Sequence, residues 1–191
     1  MAVVTCPRAT RGFTLVELLI VVIILAILSA IVIPQFSNTS TEAKEAALDA
    51  NLAALRTAIE LYRAQHGDYP GAKGTAPTVS GSCASPGVAG SAAANSAAAL
   101  IEQLTRPSDA GGGTCTVADT TNFRFGPYLR KGVPNEPINN KGSLAADIAI
   151  TSTGAPISAG TAGGWAYDTK SGQIVMNSTA NDSRGNPYSA R

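Results

Sequence analysis

The residue with the clearest chemical meaning is Glu17, a carboxylate that stands inside an apolar segment. The sequence from Phe13 to Ile33 is dominated by Leu, Ile and Val, and no Lys or Arg occurs between Arg11 and Lys44. A carboxylate near the centre of a membrane-spanning helix costs about 2.5 to 3.5 kcal/mol and is retained mostly where it has a partner. The pattern therefore predicts a cationic partner for Glu17.

A cut between Gly12 and Phe13 would supply that cation as a new α-amino group. Such an amine has an ordinary pKa of about 8 and is largely protonated at neutral pH. Glu17 would lie one helical turn away from it, and the helix N-terminus would favour the same carboxylate. We therefore expect proteolysis after Gly12 to create the ammonium that Glu17 needs.

Two simpler explanations of the apolar segment compete with this one. A helix over residues 13–33 would be roughly 31 Å long at ~1.5 Å per residue, so an uncleaved membrane anchor fits. A secretory signal peptide fits less well, because its apolar region has about 7 to 15 residues and Leu28 stands where a small residue is expected. Arg8 and Arg11 keep the preceding end cytoplasmic and send the rest of the chain across the membrane.

The letters GFTLVE, which begin at Gly12, and the apolar segment with Pro34 resemble the type IV prepilin signature of pilins and type II secretion pseudopilins. The resemblance implies that a prepilin peptidase cleaves after Gly12 and methylates Phe13, so that residues 1–12 are a leader. It also implies that Glu17 and Pro34 act in filament assembly, with Glu17 paired to the amine of its own subunit or of a neighbour.

The same resemblance implies a structural role, a location and a set of partners. The chain would be stored in a bacterial inner membrane with its head in the periplasm, and its filament would be periplasmic or extracellular. Its partners would be copies of itself in a helical homopolymer, the prepilin peptidase, an inner-membrane assembly platform and minor pseudopilins or pilins.

Composition argues against other classes of function. The formal net charge is +1, 14% of the residues are charged and no basic stripe interleaves with aromatic residues, so no nucleic-acid interface is indicated. His66 is the sole histidine, which leaves no tetrahedral zinc set, and neither a Walker loop nor a G-x-S-x-G turn occurs. We therefore expect no enzyme and no catalytic residue.

The fold class that these patterns predict is α+β and pilin-like, with a long N-terminal helix packed against a small antiparallel β-sheet head. Residues 13–34 form its transmembrane and filament-core half, and residues 35–66 its amphipathic half. Pro34 would end or kink the helix, and resumed helical spacing beyond it favours a kink. His66 would act as a cation at the helix C-terminus. One apolar stripe recurs at steps of four and three and must be buried: Leu48, Leu52, Leu55, Ile59 and Tyr62.

Residues 67–120 are rich in Gly, Ala, Ser, Thr and Pro and read as a loop between helix and sheet, with a helical island at residues 91–105. Cys83 and Cys115 flank that island, whereas Cys6 lies in the leader. A disulfide between them would close about 33 residues and stabilise the region by roughly 3 to 4 kcal/mol. The alternative is two free thiols.

Residues 121–191 form the predicted β-sheet head and its tail. A strand is indicated at Ile148 and Ile150, and a hairpin follows over residues 163–179 with its turn at residues 168–172. The tail holds one acid, Asp182. Resemblance to major pseudopilins implies that calcium near Asp182 is possible, although their acid-rich run is lacking, and no other cofactor is expected.

The head also resembles that of a type II secretion major pseudopilin, which makes this the first choice of function. The resemblance lies in residues 126–129, 134–137 and 165–168, with Gly172 after them. A type IV pilus major pilin is the close alternative. A membrane-anchored extracytoplasmic binding module is the second alternative, although it leaves Glu17 unexplained.

Overall fold

The computed structural model describes residues 12–78, 83 and 86–191, without the side chains of residues 31–38. The chain divides into two compact units, Met1–Thr41 and Glu42–Arg191, and each is described by itself. The predicted leader lies outside the described residues except for Gly12.

Helix α1 spans Leu15–His66 and contributes to both units. Its sequence is rich in Leu, Ile, Ala and Glu, which are compatible with long helices. The helix continues through position 34 and does not end there. It ends at His66, just before Gly67, whose φ of +81° is readily adopted by glycine and whose N–H donates to the Arg63 carbonyl at 2.8 Å.

The core of the second unit forms around the apolar stripe of α1. All five side chains of that stripe are fully buried, as the helical spacing predicts. They share one hydrophobic cluster with side chains from a second helix and from the sheet: Leu100, Leu104, Trp165, Tyr167, Ile174 and Met176. The stripe and the hairpin therefore meet in a common core.

The sheet has three strands in the order β1-β2-β3: β1 Ile148–Thr151, β2 Trp165–Asp168 and β3 Ile174–Met176. Strands β2 and β3 are antiparallel, as predicted, but β1 and β2 are parallel, so the prediction of an antiparallel sheet is wrong for β1. Residues 152–164 bring the chain back to the starting end of β1 instead of turning it directly, and a parallel pair requires such a return.

The region between α1 and the sheet contains a short helix and a disulfide. Helix α2 spans Ala97–Thr105, within the predicted helical island, and the Ser96 side chain caps it by accepting the Ala99 N–H. Cys83 and Cys115 form a disulfide with Cα atoms 5.6 Å apart, which is the pairing that the sequence predicts. Two short 3-10 helices complete the secondary structure of the described residues, Ala145–Asp147 and Tyr188–Ala190.

His66 packs the end of α1 against two loops of the head. Its Nε2 lies 3.0 Å from the Tyr128 hydroxyl and 3.2 Å from that of Ser108, and its ring stacks on Tyr62. Burial lowers the pKa of His66, which favours the neutral ring at pH 7. The predicted role of His66 as a cation at the helix end is therefore not supported, because the ring is a packing group.

Candidate functional site

The start of α1 holds the motif residues in a reciprocal hydrogen-bond arrangement. Thr14 precedes the first helical residue, and its hydroxyl oxygen accepts the Glu17 N–H at 3.2 Å. In return, the Glu17 Oε2 accepts the Thr14 N–H at 3.1 Å and the Thr14 hydroxyl at 3.0 Å. This is a capping box, in which two N–H groups at the start of a helix are satisfied by each other's side chains.

Sequence reasoning about a cation for Glu17 missed this arrangement. The signal was present, because Thr-x-x-Glu before an apolar run is a recognised helix start. Glu17 therefore has a polar partner within the chain, Thr14, and the ammonium partner stays a prediction. Its other oxygen, Oε1, accepts no hydrogen bond among the described residues.

The predicted cleavage point is exposed in the structure. Gly12 and Phe13 precede α1, Phe13 is 84% exposed, and a Cβ atom at Gly12 would lie within 4 Å of no atom of the described residues. The bond between them is therefore accessible within its own unit.

The first half of α1 presents an apolar surface on all sides. Its large apolar side chains between Leu15 and Leu28 are exposed by 50% at Ile23 to 85% at Leu15. Exposed apolar surface of this extent marks contact with lipid or with other protein chains. The described part of the chain contains no helix with both the length and the hydropathy of a membrane span. The predicted spanning segment includes positions 31–34, whose side chains lie outside the described residues.

The remaining predicted site residues lie elsewhere. Pro34 falls within α1, but its side chain lies outside the described residues. The Cys83–Cys115 disulfide belongs to the head. The Asp182 carboxylate contacts Arg191 at 2.8 Å, and among the described residues no group of three His, Cys, Asp or Glu side chains could hold a metal ion.

Comparison with known proteins shows what the N-terminal motif is similar to. The family model described as the prokaryotic N-terminal methylation motif matches residues 7–33. The type II secretion system core protein G of Pseudomonas aeruginosa is 36% identical over 63 residues, which are 33% of this chain and 44% of that protein. The N-terminal part of the chain is thus similar to type IV pilins and type II secretion pseudopilins. Pilins and pseudopilins are structural subunits.

Two type IV pilins are similar to this chain over a segment of about the same length as the secretion protein. The type IV narrow pilus major component PilA5 of Thermus thermophilus is 42% identical over 60 residues, 31% of this chain and 52% of that protein. The type IV major pilin protein PilA of Myxococcus xanthus is 42% identical over 74 residues, 37% of this chain and 33% of that protein. The chain thus spans about half the length of these relatives or less. No solved structure matches the chain.

Proposed function

We propose that the chain is a structural subunit of a type IV filament that is stored in a bacterial inner membrane and polymerises after residues 1–12 are removed. More specifically, we propose that it is the major pseudopilin of a type II secretion system. The observation that carries the proposal is the Thr14–Glu17 arrangement at the start of an apolar helix, inside the family's methylation motif.

The two oxygens of Glu17 suit two different tasks. Oε2 caps α1 through both hydrogen bonds from Thr14. Oε1 can accept a hydrogen bond from the ammonium group that cleavage creates at Phe13, either in the same subunit or in a neighbour. A subunit whose carboxylate lacks a full set of partners in lipid is stabilised when it docks beside another subunit that supplies one. This pairing would couple extraction from the membrane to a fixed axial register.

Pro34 has a separate role in this proposal. A proline inside a helix donates no backbone hydrogen bond and leaves the carbonyl four residues earlier, that of Ala30, without its helical partner. The α1 backbone therefore lacks one helical hydrogen bond at this point. We propose that this missing hydrogen bond lets α1 adapt locally when subunits pack in the filament.

The native N-terminus tests the proposal most directly. Intact-mass and N-terminal analysis of the protein from its own cells should find a chain that begins at a methylated Phe13. A chain that begins at Met1 or Ala2 would contradict the proposal and would favour the anchored binding module.

The role of Glu17 is tested by the Glu17→Val variant. A hydrogen bond to a charged group is worth about 1.5 to 3 kcal/mol, so we expect filament yield to fall by roughly tenfold or more. Insertion and cleavage should be unchanged. Thr14→Ala is the matched control, because it removes the capping hydroxyl and keeps the carboxylate. Normal filament yield from Glu17→Val, or an equal loss in Thr14→Ala, would refute the assembly role.

The choice between pseudopilin and pilin rests on the head. The pseudopilin is supported by the sequence resemblance of residues 126–129, 134–137 and 165–168 with Gly172, and by a disulfide in the region between α1 and the sheet. The identities to known relatives favour neither. Deletion of the gene should block export of secreted proteins if the chain is a pseudopilin. Loss of long surface fibres with export intact would assign it as a pilin.

A further inference from the structure

The side chain of Arg191 contacts three carboxylates at once. Its Nη2 lies 3.1 Å from the Glu45 Oε2 and 2.8 Å from the Asp182 Oδ2, and its Nη1 lies 2.8 Å from the Asp49 Oδ2. Glu45 and Asp49 belong to α1, whereas Asp182 belongs to the tail. We call these four residues the tail lock.

The two inner carboxylates of the tail lock are nearly inaccessible. The side chains of Glu45 and Asp182 are 7% and 4% exposed, and that of Arg191 is 16% exposed. Asp49 is the outer member, with 56% of its side chain exposed. A charge that is this well buried is tolerated only with a partner and with further hydrogen bonds.

Every oxygen of the two inner carboxylates already accepts a hydrogen bond. Both Glu45 oxygens accept from Ser183, through its N–H at 2.7 Å and its hydroxyl at 2.9 Å, and the Tyr188 hydroxyl adds a bond at 3.2 Å. The Asp182 Oδ1 accepts the N–H groups of Arg184 at 2.9 Å and Asn186 at 2.8 Å. Arg191 takes the remaining Asp182 oxygen and shares one of the Glu45 oxygens.

This donor set does not fit calcium, the metal that the pseudopilin resemblance implies for the tail. Calcium takes six to eight oxygen ligands at about 2.3 to 2.6 Å. Here N–H and O–H donors point at the carboxylate oxygens, and Arg191 occupies the point where the three carboxylates converge. A cation would have to displace a guanidinium already held by all three acids.

We infer that Arg191 is the internal cation of the tail, and that residues 177–191 dock on α1 without a divalent cation. Arg56 of α1 also joins the tail to the sheet, because its guanidinium donates to the carbonyls of both Arg191 and Ile174. Tyr188 lies in the hydrophobic core beside this contact. The stability of the head is therefore independent of the free calcium concentration around it.

The first test is thermal unfolding of the full chain in detergent, with calcium and with a chelator of divalent cations. We expect the same melting temperature in both conditions. A melting temperature that falls with the chelator would show that a divalent cation is required and would overturn the inference. This measurement needs no variant and does not depend on whether the protein forms filaments.

The second test compares Arg191→Ala with Arg184→Ala. Both variants remove one positive charge from the tail, but Arg184 is exposed and forms no ion pair among the described residues. Loss of a largely buried charge partner should lower the melting temperature by roughly 5 °C or more, and loss of an exposed one by about 2 °C or less. Arg191→Lys should fall between wild type and Arg191→Ala. Equal effects of the two alanine variants would contradict the inference.

Discussion

Asp168 is a fully buried carboxylate that forms no salt bridge among the described residues. Burial raises the pKa of Asp168, but hydrogen bonds from the N–H groups of Ser171, Gly154 and Thr153 and from the Thr151 hydroxyl together hold it well below its ordinary value. The charge is thus stabilised by backbone dipoles. Because those donors come from the last residue of β1 and from the segments after β1 and β2, Asp168 joins the ends of the two parallel strands.

Asp168→Asn should destabilise the head strongly. The amide keeps one acceptor oxygen, and its NH₂ group would face N–H donors that then lose their partner. We expect a loss of about 2 to 4 kcal/mol in the free energy of unfolding, as measured by thermal or denaturant unfolding of the full chain. Asp68→Asn is the control, because Asp68 forms a surface ion pair with Lys73 and should cost less than about 1 kcal/mol. Equal losses would contradict the structural role of Asp168.

At the scale of elements, one stretch of α1 contains both a buried and an exposed leucine. Leu55 is 1% exposed in the core, whereas Leu61 is 49% exposed. Leu55→Ala should lower the free energy of unfolding by about 2 to 4 kcal/mol, since it leaves a cavity. Leu61→Ala keeps helix propensity the same and should cost less than about 1 kcal/mol. A difference of less than about 1 kcal/mol between them would show that the stripe does not pack as described.

The elements that could be predicted from the sequence are those whose signal is local. The stripe of α1 follows from helical spacing, and the β2–β3 hairpin from two alternating arms around Gly172. The Thr14–Glu17 capping box was equally local and could have been found. The parallel pairing of β1 with β2 could not, because residues 152–164 give no signal for the direction in which they return the chain.

The tail lock shows the same limit at longer range. Arg191 meets Glu45 across a separation of 146 positions in the sequence. The spacing of Glu45 and Asp49 on α1 predicts a shared helix face, but nothing local indicates which cation approaches it. The calcium expected near Asp182 comes from the resemblance to major pseudopilins, and only the tertiary contacts indicate an arginine there.

The whole molecule consists of two compact units that carry different duties in the proposed function. The predicted cleavage point between Gly12 and Phe13 and the Glu17 side chain lie in the first unit, whereas the disulfide and the tail lock lie in the second. This division predicts that a substitution in one unit leaves the function of the other unit unchanged. We consider two changes: removal of the disulfide from the second unit, and removal of the Glu17 carboxylate from the first unit.

A chain with both Cys83→Ser and Cys115→Ser should still be cut to begin at Phe13, because the cleavage site lies in the other unit. Its head should be digested faster by protease, since a disulfide that closes a loop of this length stabilises by roughly 3 to 4 kcal/mol. Glu17→Val should show the reverse, with a head as resistant as wild type and little filament. N-terminal mass and limited proteolysis of the same samples measure both effects. Two results would show that the units are coupled: a chain without the disulfide that is not cleaved before Phe13, or a Glu17→Val chain whose head is sensitive to protease. In either case the substitution would affect the unit that does not contain it.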